Sequence, residues 1–109
     1  MALVHAADAS DIPENGTYVT EIDGQAVLLV KSASGVFAIE NKCSHAYQTL
    51  EDGRVKKVFI FCPAHGLRFD MRNGCPSGKL TDKPIKAWQT EIDGEKILVD
   101  LDQRLDAGA

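Results

Sequence analysis

Two short stretches, Cys43-Ser44-His45 and Cys62-Pro63-Ala64-His65, constrain this chain more than anything else in it. Each sets a thiol and an imidazole one or two residues apart, and sixteen residues lie between His45 and Cys62. Brought together, the two boxes offer two sulfur and two nitrogen ligands to one metal centre. A fold that does this must hold two loops rigidly side by side. A Cys2His2 set can also bind zinc, but structural zinc sites usually pair like ligands at separations of roughly two to four and three to five residues. Here each box mixes sulfur with nitrogen, so zinc stands as the alternative rather than the first choice.

The mixed set suits a [2Fe–2S] cluster in which two imidazoles replace two thiolates on one iron. In that arrangement Cys43 and Cys62 bind one iron and His45 and His65 the other, so that each box straddles the cluster. Because the imidazoles are neutral, such a centre carries less negative charge than an all-Cys cluster and accepts an electron more readily.

The flanks add a family resemblance. Cys62-Pro63-Ala64-His65-Gly66, followed by Phe69-Asp70 and Asn73-Gly74, resembles the second box of Rieske ferredoxins, and Cys43-Ser44-His45 running on to Leu50-Glu51-Asp52-Gly53 resembles the first. The likeness covers essentially the whole chain. It implies a small carrier of single electrons that takes them from an NAD(P)H-dependent flavoprotein reductase and delivers them to a terminal ring-hydroxylating oxygenase. A diiron monooxygenase as the receiving partner is the near alternative, and a zinc-stabilised binding module the distant one.

Departures from relatives sharpen the expectation. Respiratory and photosynthetic Rieske proteins carry a second Cys in each box, joined as a disulfide; the matching positions here are Gln48 and Ala64. High-potential relatives place a Ser and a Tyr after the second box as hydrogen-bond donors to sulfur, where this chain has Leu67 and Phe69. Fewer donors stabilise the more negative reduced cluster less, which lowers the potential. The expected midpoint lies near the bottom of the roughly −150 to +300 mV Rieske range. Ser44 and the run Ala46-Tyr47-Gln48 also depart from the usual pattern, beside the ligands rather than at them.

Composition fits one compact domain over residues 1–109. With 109 residues, 44% hydrophobic and 26% charged, the chain can form a single core. A net charge of −4 opposes nucleic-acid binding, which demands a basic face, and acidic carriers commonly dock on basic patches. The start of the chain, Met1 to Asp8, lacks a basic region and a long apolar run, and no later segment approaches membrane-spanning length. Three cysteines do not suggest a secreted disulfide framework. The expectation is a cytoplasmic monomer.

Turn signals and alternating apolar residues predict an all-β chain, an antiparallel sandwich or small barrel. Tyr18–Ile22 and Gln25–Lys31 flank Asp23-Gly24, and Trp88–Ile92 and Lys96–Leu101 flank Asp93-Gly94; both read as two-residue hairpins. Val36–Glu40, Val55–Phe61 and Leu67–Asp70 complete the expected strands, with a cluster-binding subdomain over about residues 41–84. Residues 8–16 and 104–109 read as termini with little to order them. The string Thr-Glu-Ile-Asp-Gly recurs at Thr20–Gly24 and Thr90–Gly94, which independent use of one favourable turn explains.

Other candidates carry less. Cys75 reads as a partly buried, inert thiol, His5 as a surface residue in the N-terminal tail, and Trp88 as core. Tyr47 and Gln48 flank the first box, where they could touch a partner or simply face solvent. Outside the metal ligands there is no nucleophile–base set, phosphate loop or nicotinamide fingerprint. The chain is therefore expected to move electrons without being an enzyme.

Overall fold

The computed structural model describes residues 3–42, 49–63, 67–77 and 84–106. Strands β2 (Gly16–Ile22) and β3 (Gln25–Ser32) pair across Asp23-Gly24, whose φ angles of 51° and 80° are those a type I′ turn requires. Strand β4 (Gly35–Glu40) returns antiparallel to β3, and β9 (Ala87–Asp93) and β10 (Lys96–Arg104) follow much later in the chain. Together with β1 (Leu3–Asp8) these form a six-stranded sheet ordered β1-β10-β9-β4-β3-β2. Its outer strands approach each other, so the sheet is nearly closed into a barrel. Between β4 and β9 the chain builds a second, four-stranded antiparallel sheet from β5 (Val55–Lys56), β6 (Phe59–Phe61), β7 (Arg68–Asp70) and β8 (Pro76–Ser77). The all-β expectation is met.

Strand β3 joins the two units. Its residues Val27 to Val30 are all fully buried, an apolar run without the alternation of a strand wet on one face. Val27 and Leu29 belong to the core of the six-stranded sheet, with Ala38, Trp88, Ile97 and Val99. Leu28 and Val30 point the other way, into a second core with Ile39, Leu50, Ile60, Phe69 and Met71. The small sheet thus packs against β3 and β4, and the Ser32 hydroxyl reinforces the contact by donating to the Lys57 carbonyl at 2.6 Å.

Four expectations need correction. Val55–Phe61 is not one strand: Lys57, at φ 56°, turns the chain so that Lys56 pairs with Phe59, and the exposed carbonyl of that turn is satisfied by Ser32. The N-terminal segment is ordered, because β1 pairs with β10, a 3-10 turn spans Ala9–Asp11, and Ile12 is buried in the barrel core. His5 accordingly sits on a strand, half exposed, 2.8 Å from the Asp8 carboxylate. At the other end β10 runs on to Arg104, and the Asp106 carboxylate is buried where it accepts from the Ala87 N–H and from the Arg104 guanidinium. Leu105 N–H also donates to the Ala87 carbonyl, so the described part of this terminus is tied to β9.

The fourth correction concerns the repeated string. The second hairpin pairs Asp93 with Lys96, which moves the two-residue turn on by one, to Gly94-Glu95. Only Gly94 has positive φ, 61°, the pattern of a type II′ turn. The Glu95 carbonyl accepts from Ala9 N–H at 2.7 Å, so the 3-10 turn bonds to this register of the hairpin. Identical pentapeptides therefore make different turns, and Ile22 is buried while Ile92 is half exposed.

Candidate metal centre

The described residues that flank each box are joined at a neck. Cys62 directly follows β6, and its N–H donates to the Leu67 carbonyl at 2.6 Å across to the residue before β7. The second box therefore occupies the connection between two paired strands. The first box leaves β4 and is closed by the Asn41 side chain, whose Oδ1 accepts from Leu50 N–H at 2.9 Å. Beyond that neck, Thr17 Oγ1 on β2 donates to the Glu51 carbonyl at 2.7 Å, and Gly53 N–H donates to the Leu50 carbonyl at 2.8 Å. Gly53 has no room for a side chain, since a Cβ there would fall on the Phe61 carbonyl at the end of β6. The two necks are thus packed against each other.

Of the four expected ligands, Cys62 is described. Its side chain is 1% exposed within the second core and forms no disulfide. Cys43, His45 and His65, with Tyr47, Gln48, Ala64 and Gly66, lie outside the described residues. Among the described residues no group of three or more His, Cys, Asp or Glu side chains could hold a metal ion, as expected when three of four ligands fall beyond them. Leu67 and Phe69, the positions without hydroxyls, are both buried beside Cys62 in that core. A soft sulfur ligand walled by apolar side chains and a paired box of mixed S and N donors fit an iron–sulfur cluster, for which a dry shell sets dielectric and potential.

Neighbouring groups brace the second box from its far side. Asp70, at the end of β7, accepts from Arg72 through both its backbone N–H and its guanidinium, the latter at 2.7 and 3.0 Å. That hydrogen-bonded guanidinium holds the Asp70 carboxyl below its ordinary value. The turn continues through Gly74, at φ 72°, whose N–H donates to the Asp70 carbonyl and whose own carbonyl accepts from Ile85 N–H. Cys75 is half buried there as a free thiol, its N–H donating to Asn73 Oδ1, and Trp88 lies in the other core, as expected. Sequence reasoning missed Thr17 and Asn41, since a single strand Thr or loop Asn gives no signal until its partner is known.

A model of the Rieske [2Fe-2S] domain matches residues 2–95, and the chain belongs to that family. It is a Rieske-type ferredoxin that carries one [2Fe–2S] cluster and serves as an electron carrier rather than a catalytic component. It is similar to the ferredoxin component of the naphthalene 1,2-dioxygenase system of Pseudomonas aeruginosa, 26% identical over 98 residues that cover 90% of this chain and 94% of that protein. The solved ferredoxin of carbazole 1,9a-dioxygenase from Nocardioides aromaticivorans IC177 is 33% identical with a TM-score of 0.83, covering 91% of this chain and 97% of that one. A chain in the complex of reduced oxygenase and oxidized ferredoxin in carbazole 1,9a-dioxygenase has the same fold, with a TM-score of 0.83 at 21% identity, covering 95% of this chain and 97% of that one. Among the described residues no helix is long and apolar enough to cross a membrane.

Proposed function

We propose that Cys43 and Cys62 hold one iron of the cluster and His45 and His65 the other, within a single domain of residues 1–109 whose cluster-binding part spans about 41–84. The observation that carries this reading is the buried Cys62 thiol at the pinned neck of the second box, with the neck of the first box packed beside it. When bound, the cluster supplies one reversibly held electron. The chain's own residues do the rest. The two necks fix the loops, Leu67 and Phe69 keep water from the sulfur side, and the two imidazoles would form the edge that meets a partner.

The receiving partner on this reading is the terminal oxygenase of an aromatic ring-hydroxylating system, and the donor is an NAD(P)H-dependent flavoprotein reductase. The ferredoxin components of naphthalene and biphenyl dioxygenase systems among the relatives, and the oxygenase–ferredoxin complex among the structures of like fold, support the first half. The reductase follows from the electron demand of such a system. A cytoplasmic monomer suits a shuttle that must show one face to two partners in turn.

Substituting His45→Cys or His65→Cys tests the ligand assignment. Either variant is expected to lose the Rieske spectrum and to shift its midpoint downwards, because a thiolate adds negative charge to the cluster. An unchanged reduced-state EPR signal in either variant would contradict the ligands named here.

A further inference from the structure

The net charge of −4 conceals a strong segregation. Residues 42–86 contain nine Lys and Arg and four Asp and Glu, formally +5, while the rest of the chain contains three and twelve, formally −9. The small sheet therefore sits in a cationic half of an acidic protein, and its two faces differ sharply. Ile60 and Phe69, directly opposed on β6 and β7, are fully buried towards β3 and β4. Strand alternation puts Phe59, Phe61, Arg68 and Asp70 on the opposite, outward face, with Lys56 paired to Phe59 beside them and the one carboxylate, Asp70, neutralised by its ion pair with Arg72.

On that outward face the cations are ordered rather than loose. The Arg68 guanidinium lies over the Phe59 ring, 4.6 Å from its centre, and that of Arg54 lies over Phe61 at 5.4 Å. Stacking holds two long side chains in place before any partner arrives, which reduces the entropy lost on association. Arginine with aromatic side chains is also the composition enriched at protein interfaces. Phe61 immediately precedes Cys62, so this face abuts the neck of the second box.

We infer that the outward face of the small sheet, built on Arg54, Phe59, Phe61 and Arg68, is a docking surface for an acidic patch on a protein redox partner. The inference rests on the electron-carrier reading and deepens it: the partner surface next to the cluster is acidic, although the carrier as a whole is acidic too. The opposite charges of the two halves orient the approach, because the base repels the patch that the small sheet attracts. A duplex nucleic acid, also anionic, is disfavoured by the surplus of acidic groups on the rest of the chain.

The test uses the holoprotein at an electrode coated with poly-glutamate, poly-lysine or duplex DNA, recording both adsorbed mass and the voltammetric wave. Adsorption is expected on poly-glutamate, weakening between low and physiological salt, with a roughly tenfold loss of affinity in Arg54→Glu/Arg68→Glu. The milder Arg54→Gln/Arg68→Gln should lose less, and Lys96→Glu, exposed on the barrel, should bind like the parent. Preference for poly-lysine, equal binding to DNA and poly-glutamate, or unchanged binding by the charge-reversed variant would overturn the proposal. Adsorption that follows the expected pattern without a wave would uphold the docking face and count against the electron-carrier reading.

Discussion

The two sheets of this molecule are built to different standards. The barrel is made of strands of six to nine residues with long ladders, and its core is apolar on every side. The small sheet has strands of two or three residues, and the side chains of Asn41, Thr17 and Ser32 each add one hydrogen bond to the backbone bonds that close its loops. Two-stranded and very short pairings are marginal by themselves in water. The barrel supports the site, while the small sheet depends on β3 and β4, against which its buried face packs, and on the ligand boxes that it carries.

Removing the iron is the most severe way to break that comparison. Metal-site energy is folding energy for the segment that supplies the ligands. On reductive chelation, amide exchange should accelerate by orders of magnitude in β5 to β8 while β2, β3 and β10 keep their protection. Simultaneous loss in both sheets would show instead that they form one cooperative unit. Core truncations come next. Phe69→Ala is expected to cost about 3–5 kcal/mol and to bleach the cluster absorbance, whereas Leu29→Ala should cost about 2–5 kcal/mol with the absorbance retained. Denaturant unfolding followed at both the cluster band and the far-ultraviolet signal separates the two.

The clasp between Asp106, Ala87 and Arg104 sharpens the comparison further, because it ties the end of the barrel to the strand that leaves the small sheet. Asp106→Asn should cost about 1.5–3 kcal/mol near neutral pH, the usual range for hydrogen bonds to a charged group. The guanidinium hydrogen bond holds the Asp106 carboxyl below its ordinary value of 3.8. Its contribution is therefore complete above that ordinary value and disappears as the pH falls through the lowered one. The gap between parent and Asp106→Asn should close on acidification, as melting measured from neutral to strongly acid pH would reveal. The smallest effect is predicted for Thr17→Val, about 0.5–1.5 kcal/mol, through loss of the bond to the Glu51 carbonyl. The substitution should speed exchange around residues 49–54 and leave β9 and β10 untouched.

Much of this was legible in the sequence, and the remainder was hidden for physical reasons. The hairpin at Asp23-Gly24, strands β2, β3, β4 and β9, and the core position of Trp88 follow from turn chemistry and apolar pattern, which are local. The split at Lys57 and the shifted turn at Gly94-Glu95 do not, because partners outside the segment, Ser32 and Ala9, bond to the carbonyls that these turns expose. The order in both terminal segments likewise comes from β10 and Ala87, remote in sequence. For the site, the two Cys/His boxes and the family they signal could be read directly, but the closed necks and the stacked arginines depend on pairing across strands. Net charge was the least informative quantity, since it averages two halves of opposite sign.

An anaerobic redox titration with iron counting on the same sample decides whether the chain holds a low-potential [2Fe–2S] cluster. Two irons per chain and a one-electron transition near the bottom of the roughly −150 to +300 mV Rieske range are expected. Zinc with no transition, or a midpoint well above zero, would contradict that expectation.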